Sequence, residues 1–129
     1  MNQLTLSSLA AVVAFCAATA VAQPIGPLTM CSDVTVTGKL ESAEAVHPLN
    51  RTKNKFYYLR LPKPVDIGQS ADKQCSSVAQ IIEIQVIGGD AFSRRLGQTL
   101  TLAGRLLPAG NTYDVRPAIL AGATELKSN

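Results

Sequence analysis

From Asp33 to Leu126, apolar and polar residues change places with a period of two over most of the apolar segments. That spacing is the signature of half-buried β-strands. In DVTVTGKLE (33–41), Val34, Val36 and Leu40 share one face, while Thr35, Thr37, Lys39 and Glu41 share the other. In KFYYLRLP (55–62), Tyr57, Leu59 and Leu61 oppose Phe56, Tyr58 and Arg60. VAQIIEIQVI (78–87) is apolar on both faces in its first half, with Ile82, Ile84 and Val86 in one row and Glu83 and Gln85 in the other. In TLTLAGRLL (99–107), Leu100, Leu102 and Leu106 point inward, and Thr99, Thr101, Ala103 and Arg105 outward. TYDVRP and AILAGATEL (112–126) complete a fifth strand, interrupted at Pro117.

Between these runs the chain carries breakers. Residues 42–54 are polar and read as a long excursion. Pro62 and Pro64 end the second strand, since neither can donate to a ladder, and 63–77 reads as loop. Gly88-Gly89 stops the third strand. DAFSRRL (90–96) predicts a two-turn helix with Asp90 as N-cap, Phe92 and Leu96 on one face, and Gly97 as terminator. Pro108 to Asn111 makes a turn. Gly38 and Gly104 fall on inner faces midway along the first and fourth strands, where a glycine marks a bend, a bulge or a close backbone approach. Three strands, a short helix and two strands is the order of an OB-like fold: mainly β, a five-stranded, partly open barrel with the helix between strands three and four. An antiparallel sandwich of the same strands is the alternative.

Composition adds compartment. The chain has 129 residues, one domain's worth. Its first 22 residues carry no charged side chain, and the apolar run Leu9 to Ala18 is followed by Ala20-Val21-Ala22. This reads as a signal peptide, 1–22, cut between Ala22 and Gln23. The leading stretch lacks Lys and Arg, which departs from the usual pattern and leaves an uncleaved anchor as the rival reading. The run is short for a bilayer span. The division is then signal peptide (1–22), an extended lead-in rich in proline (23–32) and the OB-like domain (33–129), with a periplasmic or secreted product and no membrane insertion after cleavage. The net charge of +3 is too weak to imply nucleic acid. Of three cysteines, Cys16 lies in the leader behind bulky Phe15, which disfavours lipidation. Cys31 and Cys75 form an even pair in an oxidising compartment, and a disulfide is the default. Free thiols or a metal pair are the rivals. With His47 the single histidine, a zinc site has too few ligands, and neither metal nor cofactor is expected.

Catalytic chemistry finds little to work with. His47, before Pro48 in a polar stretch, is the one histidine base and reads as an exposed loop residue. There is no G-x-S-x-G, no H-E-x-x-H and no Gly-rich phosphate loop. Glu41, Glu44, Glu83, Asp90 and Asp114 are scattered singly; Glu83, among isoleucines, reads as pointing outward beside Gln85. No catalytic residue is assigned, and the chain reads as non-enzymatic. One pattern points to binding. From Arg51 to Lys63 there are five basic residues and no acidic one, interleaved with Phe56, Tyr57 and Tyr58. With Phe56, Tyr58 and Arg60 on an outer face, and Arg51, Lys53 and Lys55 beside them, the second strand would offer aromatic faces flanked by cations. The rival reading has Phe56 and Tyr58 capping one end of the barrel with the cations merely solvated.

VTVTGKLE, FYYLRLPKPVDI, VAQIIEIQVI and RRLGQTLTLAGRLLPAGNTYDVRPAIL together resemble the bacterial domain-of-unknown-function family 4431, over about Val34 to Leu126. The resemblance implies a small exported protein with an OB-like fold and no established activity. Members often carry histidines in the last hairpin; Asn111, Thr112, Tyr113 and Asp114 stand there in this chain, which speaks against a His-borne metal or acid–base role. The expected function is an exported, non-enzymatic binding domain recognising a protein or a glycan or cell-wall partner. Two alternatives are an immunity or inhibitor protein against a periplasmic toxin or lysozyme-like enzyme, and an oligomeric receptor-binding subunit of an AB5-type assembly, which would make further copies of the chain its partners.

Overall fold

The computed structural model describes residues 27–110 and 114–127. The expected signal peptide, and Thr112 and Tyr113 of the expected fifth strand, lie outside the described residues. Six strands form one sheet: β1 (Leu28–Thr29), β2 (Ser32–Val46), β3 (Lys53–Gly68), β4 (Val78–Val86), β5 (Thr99–Pro108) and β6 (Ala118–Glu125), with a 3-10 helix, Gly89–Arg95, between β4 and β5. Five of them close a ring of hydrogen-bonded pairs in the order β3, β2, β5, β6, β4 and back to β3, and β1 adds in parallel to the end of β3. This is the mainly β arrangement, and the strand order, expected of an OB-like sheet.

The 15-residue β2 is the hub. Its first half, Ser32 to Lys39, pairs with β5, and its second half, Lys39 to Val46, pairs with β3. The strand changes partners beside Gly38, where an added Cβ would sit 2.8 Å from the Arg60 carbonyl oxygen. Gly104 plays the matching part in β5: its Cβ would lie 2.7 Å from the Ala121 oxygen, beside a register shift between Ala103 and Arg105. Both glycines are close approaches, and at Gly104 a bulge accompanies one. The ring's narrowest seam is the parallel contact of β4 with β6, only Gln85 with Ile119 and Val86 with Leu120.

Inside lie Val36, Leu40, Leu59, Leu61, Ile67, Ile84, Leu102, Leu106 and Leu120. The inward rows expected for the strands at 33–41, 55–62 and 99–107 are therefore the observed ones. In β4 the row slips. Ile82 is 37% exposed and Ile81 is buried in its place, because the register against β3 shifts between Arg60 and Val65. Gln85, expected outside, is buried too.

Several boundaries move. The excursion expected at 42–54 is mostly ladder: Ser42 pairs with Tyr57, and pairing continues to Val46 with Lys53, leaving only 47–52 as loop. Polar sequence was compatible with strand here because backbone pairing alone satisfies its amides. Pro62 and Pro64 do not end β3. They sit exposed in the irregular stretch between Arg60 and Val65, where no ladder bond is required of them. The lead-in is not merely extended: Leu28 and Met30 enter the core, and Cys31 reaches Cys75 with a Cα–Cα distance of 6.3 Å. The last strand starts at Ala118, with 114–117 irregular.

The helix is 3-10 rather than α, and Asp90 stands in its first turn without capping it. Left-handed Gly88 (φ 71°) leads in, and Gly89 presses against Tyr57, whose Cβ would lie 2.4 Å from any Cβ placed there. At three residues per turn Gly89 and Phe92 share the inner side, and Leu96 rotates off it into solvent.

Candidate functional site

The six residues singled out in the sequence separate into two groups. Phe56, Tyr58 and Arg60 lie on the flank of the ring, facing outward as expected. The flank is not an open platform, however. Tyr58 is 7% exposed. Its hydroxyl donates to Glu41 Oε2 at 2.8 Å across the β2–β3 ladder, and its ring lies 5.8 Å from that of Phe56. A residue the sequence did not single out, Arg116, closes over both: its guanidinium is 5.0 Å from the Phe56 ring and 5.3 Å from the Tyr58 ring. Arg116 also donates to Glu83 Oε2 at 2.6 Å, and Arg60 bridges Glu83 (3.1 Å) and Glu41 (3.4 Å). Two cations, two carboxylates and two rings thus satisfy one another. Glu83 points outward, as expected. Gln85 does not; its Oε1 accepts the Val115 N–H at 2.7 Å, holding the segment that carries Arg116. An arginine in a proline-flanked irregular stretch carries no periodic signal, which is why the pattern missed it.

The Tyr58 hydroxyl, and after it Arg60, hold the Glu41 carboxyl below its ordinary value of 4.5, and the same hydrogen bond raises Tyr58. A depressed carboxylate contributes stability that is fully present above its unfolded-state value and is lost as pH falls through the folded one. Acid titration of unfolding should therefore show a decline below pH 4.5 that is smaller in Glu41→Gln. Equal acid limbs in the two proteins would contradict the Glu41–Tyr58 bond.

Arg51, Lys53 and Lys55 gather instead at the β2–β3 hairpin end. His47, expected to be exposed, is only 8% exposed and pegs the loop. Its Nδ1 accepts the Leu49 N–H at 3.2 Å, its own N–H donates to the Thr52 oxygen at 2.8 Å, and its oxygen accepts the Arg51 N–H at 2.9 Å. Asn50 Oδ1 takes both the N–H (3.1 Å) and the hydroxyl (2.7 Å) of Thr52. Arg51 itself turns through a left-handed conformation, φ 57°. The braced loop projects Leu49, 83% exposed. At its foot opens a cleft of about 240 Å³ whose walls include Val46, His47, Lys55, Tyr57, Ile87 and Asp90. Val46 and Ile87 are themselves exposed, and Lys55 Nζ sits 5.7 Å from the Tyr57 ring centroid.

A lone leucine in a polar stretch has no period, so the sequence pattern does not mark Leu49. Only the fold places it beside the cleft and the cations. Such an end can bury aliphatic surface and attract carboxylates. Comparison of the chain with protein-family models, curated proteins and solved structures finds no match, so the resemblance to family 4431 rests on the quoted motifs alone.

Proposed function

We propose that the chain is an exported, non-enzymatic binding domain that docks a protein partner through the hairpin end of the ring. The observation that carries this reading is the coincidence, at one end, of the fully projecting Leu49, the exposed Val46 and Ile87, the cleft, and the cations Arg51, Lys53 and Lys55. The hydrogen bonds within 47–52 order the loop before any partner arrives, which reduces the entropy lost on binding. The cations steer acidic partners and set the rate of encounter. The Cys31–Cys75 bridge supports the exported half of the reading, since such bridges persist in oxidising compartments.

A protein suits this end better than a glycan. Sugars stack on open aromatic faces, yet Tyr58 lies under Arg116 and Tyr57 is buried beneath Lys55 and Gly89. Phe56, on the cleft wall, is half-buried with Arg116 over its ring. The exposed Leu49, Val46 and Ile87, with charged residues around them, match the apolar centre and polar rim of a protein contact. Affinity capture from an extract of the native compartment tests the reading. Leu49→Asp should lower capture of the specific partner about tenfold or more, as truncating a central anchor does, while Thr35→Lys on the far flank leaves it unchanged. Equal capture by wild type and Leu49→Asp would remove the reading.

A further inference from the structure

We infer that the occupant of this end is a second copy of the same chain, joined by a two-fold contact; the inference rests on the docking reading above. The end carries both halves of an interlocking pair. Leu49 is a projecting aliphatic knob, and the cleft at its foot is a hole with Val46, Tyr57, Val86 and Ile87 among its walls. At about 240 Å³ the hole has room for leucine's four-carbon side chain. A knob and a hole side by side on one surface are self-complementary under two-fold rotation: the knob of each copy enters the hole of the other, and the contact closes at two subunits. A foreign partner would need only one of the two features.

Charge follows the same rule. Arg51 stands beside the knob, and exposed Asp90 stands on the wall of the hole. The rotation that seats Leu49 brings Arg51 of one copy toward Asp90 of the other, twice. Lys53 and Lys55 complete the basic side of this end, and Glu44, the cross-strand partner of Lys55 on β2, offsets one of them. One loop and one cleft make a small contact, below the area of standard stable interfaces, so the association is reversible and concentration-dependent.

Sedimentation velocity of the purified protein over a dilution series tests this, with four variants: Leu49→Asp, Arg51→Asp, Asp90→Arg, and the double exchange Arg51→Asp with Asp90→Arg. All the replaced side chains are exposed, and aspartate tolerates the left-handed backbone at 51, so each variant should melt near wild type. The expected result is a wild type whose sedimentation coefficient rises with concentration toward the dimer value. Each single variant weakens association about tenfold or more, and the double exchange restores it. A single monomeric species at every concentration up to about 1 mM overturns the inference. So does a dimer indifferent to Leu49→Asp and to the charge exchange. If the wild type is monomeric while capture of another protein still depends on Leu49, the second-copy inference falls and the docking reading stands. If capture does not depend on Leu49, the docking reading falls with it.

Discussion

Replacing Cys31 and Cys75 together by alanine is expected to lower the free energy of unfolding by about 4 kcal/mol, for a bridge closing a sequence separation of 44 residues. For a domain of about 100 residues that corresponds to a melting temperature lower by roughly 15–30 °C. The magnitude follows from the length of loop that the bridge closes in the unfolded chain. In the folded protein the bridge ties the β1 end to the loop after β3. β1 has two ladder partners on β3, supplemented by the Met30 N–H to Gly68 and the Cys31 N–H to Leu106. On the other side, Cys75 anchors a loop braced by Ser70, whose N–H donates to the Cys75 oxygen and whose hydroxyl accepts the Cys75 N–H and donates to Asp72. Hydrogen exchange of the reduced protein should therefore show 28–31 and 69–77 opening before the ring. Denaturant unfolding with and without reductant measures the energy. Coincident curves, or two reactive thiols at Cys31 and Cys75 in protein taken from its native compartment, would contradict the bridge.

Tyr58→Ala is expected to cost about 3–5 kcal/mol, the range for removing a buried aromatic ring. The ring loses its contact with Phe56 and Arg116, and Glu41 loses its donor. Tyr58→Phe keeps the packing and gives up one hydrogen bond to a partly exposed carboxylate, about 1 kcal/mol. The contrast between the two variants decides the role of the flank. If Tyr58→Ala melted within a few degrees of wild type, the Arg116 cover would be absent and the aromatic pair would be the open stacking face that the sequence suggests. Read with the Leu49→Asp capture experiment, it also separates stability on the flank from recognition at the hairpin end.

The two groups differ in how readily the chain discloses them. Val36 with Leu40, Leu59 with Leu61, and Leu100 with Leu102 announce inner faces because each pair falls on one parity of its strand and is buried. Glu41, Tyr58 and Arg60 announce an outer face by the same parity, but parity says nothing about what lies above that face. Arg116, more than fifty residues further on, reaches back over Phe56 and Tyr58 only because β6 returns beside β4. His47 shows the same limit from the other side. Its polar neighbours suggest solvent, whereas the hairpin turn folds it under Leu49.

By itself the sequence determined what depends on near neighbours: strand faces at 33–41, 55–62 and 99–107, the mainly β class, and the inner-face positions of Gly38 and Gly104. Period-two burial and the absence of a Cβ are local properties, so local pattern suffices to reveal them. The tertiary structure decided the rest: how far β2 and β3 extend, the slip of β4 that trades Ile82 for Ile81, the closing of the flank by Arg116, and the assembly of Leu49, the cleft and three cations at one end. Each of these depends on which distant backbone supplies the hydrogen bonds and which side chain arrives from across the ring, quantities set only when the strands close on one another.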